Sequence, residues 1–432
     1  MKRLLILGIA LMLLARPSSA LAQGGGTLVG GFDVGPGGLP QTTPWIQTAG
    51  NTWLIKIWSP LVSYNADISG LAPQLATDWS ANEDLTVWTF TLRQGVTWHD
   101  GEPFTADDVK FTFEFVLSPG STASAPVGLA GIKTILGAEA YMAGEADSLE
   151  GVRVIDDYTI EITLSTPDPR FPYRLVESYI LPEHAITFEP ADIATTDWWF
   201  TTSVGTGPFM HDEFQRDRFW AVVPNPNYWN GAPKLDRLIN RYFEDETAAV
   251  LALEAGEIHF TYVSGDVALR LAENEDFVVY QGPSGVTNYI IFNLRDPRFQ
   301  DVRVRQAFLY AIDRETIAEV VLGGTAIVVP CLAAYEAMWP EEYNDYAYNP
   351  ELARQLLEEA GWTQGEPIEL VTYYTSQFHA DAMAAMQQFL ADVGVNIVPR
   401  VDADGYNSYF YTGEGWLLSY RGLGHTAGNY PF

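Results

Sequence analysis

Ile368-Glu369-Leu370-Val371-Thr372-Tyr373, the stretch from His379 to Val393, and Asn396 to Val401 read in order as strand, helix and strand. The outer runs are short and apolar, while the middle one is long enough for several helical turns. A strand that returns to its sheet through a helix pairs in parallel, with a right-handed crossover. The chain is therefore expected to be α/β.

The same rhythm extends toward the N-terminus. Asn349 as cap, Pro350 as first helical residue and Gly361 past the end frame a helix. Asp301 precedes Val304, Ala307, Phe308 and Ala311, spaced as one helical face, and Asp313 can cap a second helix carrying Ile317, Val320 and Val321, stopped by Gly323-Gly324. The first half is richer in strands. Trp88-Thr89-Phe90-Thr91-Leu92 alternates with period two, and Val152 to Ile155 and Thr159 to Leu164 flank an Asp156-Asp157 turn. Thr105-Ala106-Asp107-Asp108 is a capping box opening a helix to Leu117, and Thr27-Leu28-Val29 is a short buried strand running into a Gly/Pro-rich loop.

At the N-terminus, Lys2 and Arg3 precede an apolar run from Leu4 to Leu14, and Ala20-Leu21-Ala22 has the small-x-small pattern of a cleavage site. That run is too short for a membrane anchor, which takes about 20 apolar residues. Residues 1–22 are expected to be a signal peptide cleaved after Ala22, leaving a soluble periplasmic protein. Cys331 is the only cysteine, which excludes an internal disulfide and a multi-cysteine metal site. A net charge of −31 excludes general nucleic-acid binding, which needs a basic footprint. At about 100–200 residues per domain, 432 residues predict two or three domains.

The motifs of common enzyme classes are missing. There is no G-x-S-x-G elbow, no phosphate-cradling P-loop, no H-E-x-x-H and no G-x-G-x-x-G after a strand. The six histidines never pair at helical spacing, so no zinc site, cofactor or catalytic residue is assigned. His99-Asp100-Gly101 reads as a turn rather than a metal pair. Carboxylates are numerous, so a secreted glycoside hydrolase working through two of them stays as the alternative from a different class. Aromatics at 13 % must mostly fill the interior, but Phe32, Trp45, Trp53, Trp416 and Tyr420 sit in Gly-rich surroundings and suit the walls of a ligand cleft.

Several ordered segments resemble the family 5 extracellular solute-binding proteins, the group of oligopeptide, dipeptide and nickel binders. They are Trp58-Ser59-Pro60-Leu61-Val62, Leu71-Ala72-Pro73-Gln74-Leu75-Ala76 with Trp79, the run from Trp88 through Trp98-His99-Asp100-Gly101, and Thr105 to Val109. Gly205-Thr206-Gly207-Pro208-Phe209, Asn225-Pro226-Asn227-Tyr228-Trp229, Asp301 to Ala307 and Ala311 to Arg314 continue the series. The resemblance implies a type II periplasmic-binding-protein fold, two lobes with a hinge plus an extra domain. It implies lobe I from residues 23–52 and 194–268, the extra domain from 53–193, and lobe II from 269–432. The chain stops at Pro431-Phe432, where the family runs on through lobe II, so this lobe is expected to be incomplete, with exposed sheet edges.

The function implied is solute capture between the lobes for ABC permease subunits, by a protein expected to be monomeric. Contacts in such proteins come from the loop after the first strand and from a Gly-Trp segment, which correspond here to Phe32 and Asp33 and to Trp416 through Tyr420, Gly424 and His425. Peptide binders of the family carry an Asp shortly after Gly-Trp that pairs with the peptide amine. Here Gly422-Leu423-Gly424-His425 has neither that Trp nor that Asp, and a buried ammonium without a carboxylate is costly. A peptide remains the expected ligand, with Asp33 as the replacement carboxylate. An oligosaccharide stacked on Trp53, Trp416 and Tyr420 is the alternative.

Overall fold

The computed structural model describes residues 25–33, 45, 54–65, 70–124, 126–263, 265–280, 286–329, 342–363, 365–402 and 415–424. The proposed signal peptide, Trp53, Cys331 and His425 lie outside the described residues.

The fold is α/β, built on three main sheets. Strand β1 (Thr27–Asp33) opens the chain, and the pair β2 (Val62–Tyr64) and β3 (Leu71–Pro73) forms a separate small ladder. Strands β4 (Ala76–Ala81), β5 (Val87–Leu92), β6 (Val152–Asp156) and β7 (Thr159–Thr163) make an antiparallel sheet in the order β4-β5-β7-β6. The meander β8 (Phe209–Gln215), β9 (Phe219–Pro224) and β10 (Arg237–Phe243) and the short β11 (Phe260–Thr261) join β1 in a first mixed sheet, β11-β1-β10-β9-β8. There β1 runs parallel to both β10 and β11. The second mixed sheet holds β12 (Val286–Phe292), β13 (Ile368–Thr372), β14 (Ile397–Val401) and β15 (Leu418–Gly424) in the order β12-β15-β13-β14. As the crossover pattern requires, β13 pairs in parallel with β14 through the helix Gln377–Asp392, and β15 lies parallel on its other side.

Two apolar cores follow from this arrangement. The first fuses the antiparallel sheet with one face of the first mixed sheet, so Phe90, Ile160 and Trp58 share a cluster with Trp220, Val222 and Leu238. Trp45 belongs to it: the ring is fully buried and its Nε1 donates to the Tyr179 carbonyl at 3.1 Å, so it is a core residue and not a cleft wall. The second core lies under the second mixed sheet, where Val304, Ala307, Phe308 and Ala311 of the helix Val302–Ala311 meet Leu370, Leu390 and Leu418. Fully burying each such side chain contributes about 1.5–3 kcal/mol. The helix expected after Asp313 forms as a short turn, Arg314–Thr316, passing into a π-helical turn, Ile317–Val321. Ile317 is buried but Val320 is 75 % exposed, because the wider turn rotates it away from the core.

The His99-Asp100-Gly101 turn is built into the joint between the antiparallel sheet and β8. Gly205 N–H donates to His99 Nδ1 at 3.1 Å, which leaves the proton on Nε2 to face the Gly207 carbonyl at 3.2 Å. Burial holds the His99 pKa down to about 4, although the Gly207 carbonyl and Asp100 oppose the shift. The two glycines are needed on steric grounds. A Cβ on Gly205 would lie 1.9 Å from the Ile57 carbonyl oxygen, and one on Gly207 would lie 2.5 Å from that of Lys56.

Candidate functional site

In open parallel sheets, ligands meet the carboxyl ends of the strands, where side chains leave the sheet and connecting loops gather. In the first mixed sheet these ends belong to β1, β10 and β11. Phe32 and Asp33 stand at the end of β1, in register with Tyr242 and Phe243 of β10. Thr261, at the end of β11, donates its hydroxyl to the Gly31 carbonyl at 3.0 Å, and the next residue, Tyr262, is 64 % exposed. Gly30 and Gly31 allow this crowding. A Cβ on Gly30 would lie 2.5 Å from the Phe260 ring, and one on Gly31 would lie 2.4 Å from Ile258.

The second mixed sheet offers the ends of β13 and β15, and there the side chains form an aromatic plate. The Tyr374 ring stacks on His379 with centroids 3.6 Å apart and planes 10° apart. Tyr420 meets Tyr374 edge-on at 6.0 Å, and its hydroxyl lies 3.2 Å from His379 Nδ1. Tyr373 adjoins Tyr374 at 4.5 Å, and its hydroxyl faces the Gly422 N–H at 3.4 Å. A Cβ on Gly422 would lie 2.1 Å from the Tyr374 hydroxyl, so a larger residue there would have to push the Tyr374 ring aside. Burial holds His379 down to about 4 and pushes the Tyr374 and Tyr420 hydroxyls well above their ordinary range. Tyr374, Tyr420 and His379 are therefore uncharged at neutral pH, with Tyr420 part of the second core and backing the plate rather than facing solvent.

Trp416 precedes β15, and its carbonyl accepts from Asn293 Nδ2 at 3.0 Å. The Arg421 guanidinium lies 4.7 Å from the centre of the Trp416 ring and donates from Nε to Ser419 Oγ. Arg421 alternates with Tyr420 along β15, so the strand carries a cation on one face of the sheet and the plate on the other.

Of the residues singled out by sequence, Tyr420 lies within the plate, 4 % exposed. Gly424 ends β15, opposite Val286 of β12. Phe32 and Asp33 end β1 on the other mixed sheet. Trp53 and His425 lie outside the described residues. Tyr373, Tyr374, His379 and Tyr262 were not singled out, although the strand expected to end at Tyr373 already placed two of them at a carboxyl end. A cavity of about 470 Å³ on the first mixed sheet is lined by Val29, Arg218, Phe219, Ile239, Arg241 and Tyr242 and so reaches toward the carboxyl end of β10. Among the described residues no group of three or more His, Cys, Asp or Glu side chains is placed to hold a metal ion, and no helix is long and apolar enough to cross a membrane.

Comparison with known proteins adds to this geometry. Residues 70–419 match the family described as bacterial extracellular solute-binding proteins, family 5, middle region. A Brucella ovis protein, named as a proposed ABC transporter peptide-binding protein, is 39 % identical over 94 % of this chain and 76 % of its own length. The dipeptide-binding protein of Escherichia coli is 28 % identical over 85 % of this chain and 69 % of its own length. Among solved structures, the Bacillus subtilis oligopeptide-binding protein AppA, in complex with a nonapeptide, superposes with a TM-score of 0.78 at 22 % identity. That match covers 95 % of this chain and 81 % of the other. At that identity the likeness speaks for the fold, which is that of the type II periplasmic binding proteins.

Proposed function

The chain belongs to the bacterial extracellular solute-binding proteins, family 5, and from that premise we propose that it captures a peptide between two lobes and delivers it to an ABC importer. The similarity to a protein named for peptide binding, covering 94 % of this chain, carries the reading. The geometry agrees with it, because two mixed sheets present their carboxyl ends as two half-sites. In this reading residues 23–52 and 194–268 are lobe I, 53–193 the extra domain and 269–432 lobe II. The protein works in the periplasm as a monomer after cleavage at Ala22, and it performs no covalent chemistry on its ligand.

Lobe II supplies the aromatic plate and lobe I the end of β1. A peptide backbone has donors and acceptors for the Tyr373 and Tyr374 hydroxyls, and its apolar side chains suit the ring faces. We assign the amine to Asp33 and the remaining contacts to Phe32, Trp53, Trp416, Gly424 and His425. An oligosaccharide could use the same rings, but no relative described above is named for sugar binding.

Isothermal titration against a peptide mixture and a panel of gluco- and galacto-oligosaccharides tests the reading. Peptides should bind and be recovered intact, and Asp33→Asn should weaken them at least tenfold, about 1.4 kcal/mol. Binding of sugars alone, or steady hydrolysis of either class, would overturn it. An unchanged affinity for Asp33→Asn would place the amine elsewhere.

A further inference from the structure

We propose that His379 contacts the ligand directly: its Nε2–H, fixed by the Tyr420 hydroxyl behind it, donates to a carbonyl oxygen of the bound peptide. The inference rests on the peptide-binding reading above and names the group on the plate that reads the peptide backbone. His379 lies in the first turn of the helix Gln377–Asp392, a few residues beyond the carboxyl end of β13. Its ring is held on two sides. Tyr374 stacks on it with centroids 3.6 Å apart and planes 10° apart, and Phe378 meets it edge-on at 5.1 Å and 89°. Turning the imidazole would break the stack, so its plane is set before any ligand arrives.

The two ring nitrogens have different surroundings. Nδ1 lies 3.2 Å from the Tyr420 hydroxyl, which belongs to the second core. A buried hydroxyl needs an acceptor for its proton, and Nδ1 is the one that Tyr420 has among the described residues. Donation from Tyr420 leaves Nδ1 bare and puts the ring proton on Nε2. Nε2 has no hydrogen-bond partner among the described residues and is not enclosed, so it keeps access to solvent. Burial holds the ring pKa down to about 4, so at neutral pH this edge is a single uncharged donor. Such a donor suits a carbonyl oxygen and offers nothing to an ammonium group. The peptide amine is thereby turned away from lobe II, in keeping with its assignment to Asp33. Tyr420 is a positioning residue here: it fixes the tautomer without touching the ligand.

The test titrates the full chain and three variants with a mixture of di- to pentapeptides, and follows the histidine ring nitrogens by NMR with and without peptide. His379→Phe keeps a ring against Tyr374 but has no donor, and should bind about tenfold more weakly. His379→Gln restores an amide N–H near the position of Nε2 and should stay within about threefold of the parent. Tyr420→Phe keeps the core ring but frees the tautomer, and should weaken binding about threefold. In the parent complex the His379 proton should sit on Nε2 and shift downfield when peptide is added. Parent-like affinity in His379→Phe would overturn the inference, as would a proton found on Nδ1 in the complex. Equal weakening in the Phe and Gln variants would also overturn it, by reducing His379 to a packing role. A parent that binds no peptide would overturn the functional reading and this inference with it, whereas a parent that binds beside an unaffected His379→Phe overturns this inference alone.

Discussion

His99 and His379 are both held neutral by burial, with pKa values near 4 against an ordinary value near 6.5. The unfolded chain therefore binds more protons than the folded one between those values, so stability rises with pH across that window. The contribution is complete above about pH 6.5, falls away as the pH drops toward 4, and is flat below. For each histidine the full difference corresponds to about 3 kcal/mol. Urea unfolding at pH 7.5 and pH 4.5 checks this. The parent should lose stability steeply on acidification, and His99→Gln and His379→Gln should each lose less. Parallel losses in all three proteins would show that the imidazoles do not titrate with folding. The two residues differ in what they hold. His99 fixes Gly205 and Gly207 at a joint in the fold, whereas His379 sets the Tyr374 and Tyr420 rings of the plate.

At the scale of elements, local signals account for what forms where. Asn349 accepts from Leu352 N–H at 3.0 Å, Pro350 begins the helix Pro350–Glu359, and Gly361 beyond it has a φ of +68°. Asn349→Ala should cost about 1 kcal/mol and Asn349→Asp almost nothing, measured by urea midpoint. Equal losses would mean that the cap is not what holds this end. The elements read correctly from sequence are of this kind: the helix after Asp301, the β6–β7 hairpin, the helix after Thr105, where Thr105 N–H donates to Asp108, and the β13–helix–β14 unit. The meander β8–β9–β10 was not read. Between one and three residues of each strand are buried, and the pairing of β10 with β1 joins positions some 210 residues apart, as in Thr27 with Arg237. The plate was half legible. Tyr420 was named from its Gly-rich setting, but it meets Tyr374 and His379 only once β13 and β15 lie side by side in parallel.

At the scale of the molecule, the two cores stand apart. One runs from Trp45 to Leu238 and joins two sheets, and the other lies between Phe299 and Tyr420. Each has its own buried aromatic centre, with Trp58 against Trp199 in the first and Phe292 against Phe299 and Phe308 in the second. In the two-lobe reading proposed above, each lobe keeps its own buried surface when the other melts, so the two are expected to unfold as separate units. Calorimetry of the ligand-free chain should therefore resolve two transitions. A peptide gripped by both half-sites stabilises only the state in which both are folded, by RT ln(1 + [L]/Kd), or about 2.7 kcal/mol at a hundredfold excess over Kd. The lower transition should then move upward toward the higher one, and saturating peptide should bring the two together. A ligand held by one lobe alone would raise one transition and leave the other in place, which would count against capture between lobes even if the titration showed tight binding.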